Sequence, residues 1–131
     1  MTAYSNNRII PTVTTVLALQ AYRDWFYGLS NQEAAAVQNV VHKLEIDGLQ
    51  LGMPHSSAIK GARHALRELR PKQGRSPLRV LYAYDPERQI ILILGGDKGA
   101  DERWYGRAVP KADDLFDAYL AWQATQKENK R

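Results

Sequence analysis

Ile90 to Leu94 (IILIL) is an unbroken apolar run, preceded by the turn-forming Asp85-Pro86-Glu87-Arg88 and followed by Gly95-Gly96. So short a run between two breakers reads as a strand covered on both faces, at the centre of a sheet. That excludes a sheet with one wet side, because apolar material must pack above and below it. Leu78 to Tyr84 agrees: Leu78, Val80, Tyr82 and Tyr84 alternate onto one face, and the intervening turn makes the two segments a hairpin. Arg63 to Arg70 reads as a further strand. Ile9 to Val16 (IIPTVTTV), β-branched and interrupted by Pro11, suits an edge strand.

The remaining apolar residues follow the helical period. Tyr22, Trp25, Phe26 and Leu29 share one face of a helix that Gly28 helps to end. Ser30-Asn31-Gln32-Glu33 has the form of a capping box, opening a second helix with Val37, Val40, Val41 and Leu44 inside and Gly48 as terminator. Leu49 to Gly61 has the composition of a loop. A third helix is expected to begin near Pro110, with Asp113 and Asp114 at its positive end, Leu115, Phe116, Tyr119 and Trp122 on its apolar face, and a fraying tail from Lys127 to Arg131. The expectation is a single α+β domain over residues 1–131, with an N-terminal helical hairpin, an antiparallel-rich sheet of about four strands and a C-terminal helix. At 131 residues and 44% hydrophobic content, one core can be filled.

Charge is uneven along the chain. Lys60 to Arg79 holds seven Lys or Arg against one acid, Glu68, so this stretch carries +6 in a chain whose total is +4. A local basic excess is the footprint of a polyanion partner, nucleic acid first. The chain has no cysteine, which removes thiolate chemistry and Cys-based zinc sites and fits a reducing cytoplasm. No apolar run approaches a membrane span and the N-terminus lacks the apolar stretch of a secretory signal, so a cytoplasmic protein without membrane contact is expected. His42, His55 and His64 show no metal-ligand spacing, and Gly95-Gly96-Asp97-Lys98-Gly99 lacks the Walker and Rossmann patterns, so neither metal nor cofactor is expected.

The segment LRELRPKQGRSPLRVLYAYDPERQIILILGGDKGADERWY resembles the RelE/ParE superfamily of bacterial toxins, in its HigB-like, phage-related branch. The resemblance rests on the basic Leu-x-Glu-Leu-Arg strand, the Pro-Leu-Arg-Val-Leu-Tyr strand, the apolar strand ending in Gly-Gly-Asp-Lys and the downstream Trp-Tyr. It implies a RelE-like fold and a small ribosome-dependent endoribonuclease that cuts messenger RNA. It also implies a helix-turn-helix antitoxin as partner.

RNA can be cut without metal when its 2′-hydroxyl attacks the adjacent phosphate, given a proton acceptor, a proton donor for the leaving 5′-oxygen, and cations for the phosphorane. Arg79, within a strand and facing away from Leu78, Val80 and Tyr82, is expected to present its guanidinium to the phosphate. Lys72 is a candidate base or phosphate contact, and Arg75 lies in the same turn beside Arg70. Lys98 follows the apolar strand, and Tyr105 is placed to stack on a base or donate a proton. Lys60, Arg63, Arg67, Arg70, Arg75 and Trp104 are the further candidate RNA contacts. Because members of the superfamily vary in their catalytic sets, His55, His64 and Asp97 stay open as participants in the proton transfers. Two other functions stay open: a ParE-like toxin acting on DNA gyrase without nuclease activity, and a non-catalytic nucleic-acid-binding protein derived from a phage.

Overall fold

The computed structural model describes residues 13–101 and 103–130. Among the described residues, five strands form one sheet in the order β1-β5-β4-β3-β2. They are β1 (Val16–Ala18), β2 (Ser56–Ala58), β3 (Arg67–Leu69), β4 (Leu78–Tyr84) and β5 (Ile90–Asp97). The three α-helices among the described residues are α1 (Gln20–Tyr27), α2 (Asn31–Asp47) and α3 (Trp104–Asn129). All neighbours run antiparallel except β1, which lies parallel to β5 at one edge with Val16 opposite Ile90.

The central strands are buried as their sequence demands. On β4, Leu78, Val80 and Tyr82 join a core with Tyr22 of α1 and Val37, Val40, Val41 and Leu44 of α2. Leu81 and Ala83 join a second core with Ala112, Phe116 and Tyr119 of α3, and β5 contributes to both. The sheet is thus sandwiched between α1 and α2 on one side and α3 on the other. The hairpin turn is held by Asp85, whose Oδ1 accepts from the backbone amides of Glu87 and Gln89, while Oδ2 accepts from Tyr119 Oη and Gln123 Nε2 of α3.

The helix signals hold. Ser30 Oγ accepts from the Glu33 amide and Glu33 Oε1 from the Ser30 amide, and Gly48 ends α2 at φ 57°. Leu29 lies past the end of α1 yet packs on its core.

Several boundaries differ from expectation, each for a local reason. The first strand occupies Val16–Ala18, and positions 9–12 of the predicted strand lie outside the described residues. β2 arises inside the predicted loop, so the sheet has five strands, not about four; its Ser56 to Ala58 has no strand pattern and is recruited by pairing with β3. The predicted strand from Arg63 shortens to Arg67–Leu69 because the amides of Arg63 and His64 are bound by the Asp113 carboxylate of α3 instead of a neighbouring strand. β5 continues through Gly95 and Gly96 to Asp97. A Cβ on Gly95 would collide with Trp25 and one on Gly96 with Trp104, so the glycines admit an indole from each helical layer. Finally, α3 starts six residues before Pro110. Proline inside a helix meets the carbonyl four residues earlier, here that of Gly106, and Pro110 sits on the exposed side where that carbonyl faces water. Trp122, placed by periodicity on the apolar face, is 56% exposed.

Candidate functional site

Glu68 was the one acid in the basic stretch, and the fold makes it a hub. Its position in the middle of β3, between Ser57 on β2 and Leu81 on β4, turns the side chain toward α3. Only 6% of it is exposed. Tyr105 Oη, in the first turn of α3, donates to Oε1 at 2.6 Å. Ser57 Oγ and Arg70 Nη1 donate to Oε2 at 3.0 and 3.2 Å. Arg79 Nε stands 3.5 Å from Oε1.

Arg79 faces away from the α1/α2 core as expected, but its guanidinium is not presented to solvent. It is 2% exposed, and Nη1 donates to the carbonyls of Ser76 (2.7 Å) and Leu78 (2.8 Å), leaving Nε without a hydrogen-bond partner. A buried carboxylate and a buried guanidinium therefore lie side by side at the end of the sheet, where each offsets the other's desolvation.

Tyr105 is half-buried and covers this pair. Its phenol is pushed above the ordinary tyrosine value, first by burial and then by the bond to the Glu68 carboxylate, with Arg79 opposing. It keeps its proton at neutral pH and acts as a donor. The ring meets Trp104 edge-on at 4.9 Å, and Trp104 rests on Gly96, so its position is set by the sheet.

The other candidates separate into three groups. Lys98 and Lys60 stay near the cluster: the Lys98 amide donates to the carbonyl of Pro77, beside the start of β4, and Lys60 shares an open groove with Tyr105 and Gly106. Arg63, Arg67 and Arg70 are engaged internally. Arg63 pairs with Asp114 (2.9 Å) and Asp117 (2.8 Å), Arg67 Nε donates to Ser56 Oγ and Tyr82 Oη on the α2 side, and Arg70 binds Glu68. Lys72 is exposed and lines a different groove, against α2, together with His55; Arg75 is exposed in the same turn. His64 Nε2 lies 2.6 Å from Asp117, and Asp97 is exposed at the end of β5. The basic stretch is thus not one patch, since the strand pleat and the loops distribute it over both faces. Glu68 was missed as a site residue because its sign opposed its surroundings; that opposition was the available signal. Among the described residues no three His, Asp or Glu side chains are grouped to hold a metal ion, and no helix is long and apolar enough to cross a membrane.

Comparison with known proteins gives a consistent picture. A family model described as "Phage derived protein Gp49-like" matches residues 24–117. Two proteins of Mycobacterium tuberculosis (strain ATCC 25618 / H37Rv), named as candidate toxins HigB3 and HigB2, are each 37% identical to this chain. The HigB3 match spans 81% of this chain and 93% of that protein, and the HigB2 match 82% and 55%. Among solved structures, the toxin–antitoxin complex RelBE2 from Mycobacterium tuberculosis aligns with a TM-score of 0.51 at 18% identity, over 65% of this chain and 98% of that one. A mutant of the E. coli toxin RelE in the free state aligns with a TM-score of 0.55 at 13% identity, over 76% and 97%. At those identities the structures testify to the fold alone.

Proposed function

The chain belongs to the Gp49-like, HigB-type branch of the RelE toxin superfamily, and on that premise we propose that it is the toxin of a type II toxin–antitoxin pair, a ribosome-dependent endonuclease that cuts messenger RNA without a metal ion. The observation that carries this reading is the buried Glu68 carboxylate gathering Tyr105, Ser57, Arg70 and Arg79 at one end of the sheet. In the proposed reaction the 2′-oxygen attacks phosphorus and the bond to the 5′-oxygen breaks, giving a 2′,3′-cyclic phosphate and a 5′-hydroxyl. Tyr105 gives its proton to the leaving 5′-oxygen, and the proton of the 2′-hydroxyl leaves to water. Glu68, buried beneath Tyr105, holds the phenol in place through the 2.6 Å hydrogen bond, and Tyr105 takes a proton back from water to reset the site. Lys98 and Lys60 supply positive charge to the phosphorane from the rim. Arg79 is a positioning residue, holding Glu68 and the end of β4. Lys72 has no part in these steps.

A toxin acting on translation needs a neutralising partner, and the RelBE2 structure is a toxin–antitoxin complex; by the same logic this chain pairs with a small helix-turn-helix antitoxin. The proposed partners in action are the ribosome and its messenger RNA, in the cytoplasm.

The test is induced expression in bacteria, reading growth and mapped mRNA 5′ ends for the native chain and Tyr105→Phe at equal yield. Native protein should arrest growth with new mRNA cuts, and the variant should cut at least about a hundredfold more slowly, the low end of what one general acid contributes. Arrest with intact mRNA, or full cutting by Tyr105→Phe, would overturn the reading.

A further inference from the structure

We infer that the groove between α2 and the Pro71–Gly74 turn, on the face of the sheet opposite Tyr105, binds the sugar–phosphate backbone of RNA as a second contact surface. It rests on the reading of the chain as RNA-directed, and not on cleavage.

The groove's cations are Lys43 and Lys72, with the His55 imidazole beside them. No aspartate or glutamate lines it, in a chain that has 14 of them. Arg63, Arg70 and Arg79 stand in ion pairs with carboxylates, whereas Lys43 and Lys72, like Lys60, Arg67 and Arg75, make none among the described residues. Their charge is available to an outside anion.

The local backbone points the same way. Lys72 and Gln73 are consecutive non-glycine residues in the left-handed region, at φ 54° and 57°. L residues adopt this conformation only at an energetic cost, and both side chains are exposed, so their own burial does not offset it. The strained pair turns the loop onto α2 and completes the groove wall.

The facing helix is built to match. Gln32, Asn39 and Lys43 fall seven and four residues apart, which stacks them in one stripe along α2, with Ala35 keeping the middle low. Lysines and amides present hydrogen-bond donors in a row, as a phosphate backbone requires. The groove volume of about 530 Å³ admits a nucleotide-sized group. A folded protein partner would need apolar anchors, and Val40, the largest apolar residue here, is 4% exposed. The chemistry favours RNA over an acidic polypeptide.

The experiment is fluorescence anisotropy with a fluorescein-labelled 20-nucleotide RNA carrying 2′-O-methyl groups throughout, which cannot be cleaved. Lys43→Glu/Lys72→Glu is compared with the native chain and with Lys111→Glu/Lys130→Glu, the same charge change on exposed positions of α3 and its C-cap; Lys43→Gln/Lys72→Gln serves should the reversal perturb folding by circular dichroism. The groove pair should lose at least about tenfold in affinity, and the slope of log affinity against log salt should fall by about 1.4, two contacts at roughly 0.7 each for a single strand. The α3 pair should change affinity less than about threefold. Equal losses in both pairs, or none in the groove pair, would overturn the inference. So would a labelled glutamate-rich peptide that binds the native chain and is released by the groove pair while RNA affinity stays unchanged, since that assigns the groove to a protein partner. Failure of the cleavage reading shows separately, as intact mRNA in cells with groove-dependent RNA binding retained.

Discussion

Arg79 and Glu68 lie side by side with almost no exposure, and Glu68 is the one carboxylate beside Arg79 among the described residues. Removing Glu68 leaves the buried guanidinium uncompensated, so Glu68→Ala is expected to lower stability by about 3–5 kcal/mol. Tyr105→Phe, which deletes one neutral donor, should cost about 1–2 kcal/mol; urea midpoints separate the two, and they make Tyr105 the cleaner probe of chemistry. Asp85 supplies a pH-dependent case. Burial disfavours its ionisation, but the bonds from Gln89, Tyr119 and Gln123 more than offset this and hold the carboxyl below its ordinary value. A carboxyl depressed in the folded state stabilises above the unfolded pKa of about 4 and loses that contribution as pH falls through the folded value. The native chain should therefore lose more thermal stability between pH 5 and pH 2, in round terms, than Asp85→Asn, measured by melting in matched buffers. The sequence told which way Arg79 would face, because strand alternation is local. It did not tell that Arg79 would be covered, because the cover is Tyr105 and the first turn of α3, distant in the chain.

Among the elements, β4 and the start of α2 were legible residue by residue. Alternation between two breakers fixes the first, and a reciprocal pair of hydrogen bonds fixes the second. β2 was not legible, because three residues without a pattern become a strand only when β3 offers them a partner. The start of α3 was misplaced because Pro110 is a good first-turn residue and also tolerable where its helix faces water. The same reading of Gly106 and Gly96 gives opposite expectations. A side chain at Gly106 would meet nothing within 4 Å, so Gly106→Ala should stabilise α3 by about 1 kcal/mol. At Gly96 the added methyl runs into Trp104, so Gly96→Ala should destabilise by about 1–3 kcal/mol and shift Tyr105 with it. Thermal melts of both variants, with cleavage measured alongside, check the pair.

For the molecule as a whole, β4 and β5 supply residues to both cores, so neither helical layer can leave without exposing the same two strands. We expect residues 1–131 to unfold as one unit, with tryptophan fluorescence and far-ultraviolet circular dichroism giving coincident urea transitions; two separated midpoints would show the layers to be independent. The sandwich itself was legible from the doubly buried IILIL strand, whereas the distribution of charge was not, since a tally along the chain carries no information about which side of a sheet each cation reaches. The strand lengths have one more consequence. The long strands β4 and β5 are interior, while among the described residues the two edges, β1 and β2, are three residues each. On the described edges a neighbouring copy therefore finds only a few unpaired backbone groups to template on, the short-edge arrangement by which sheets resist edge-to-edge association.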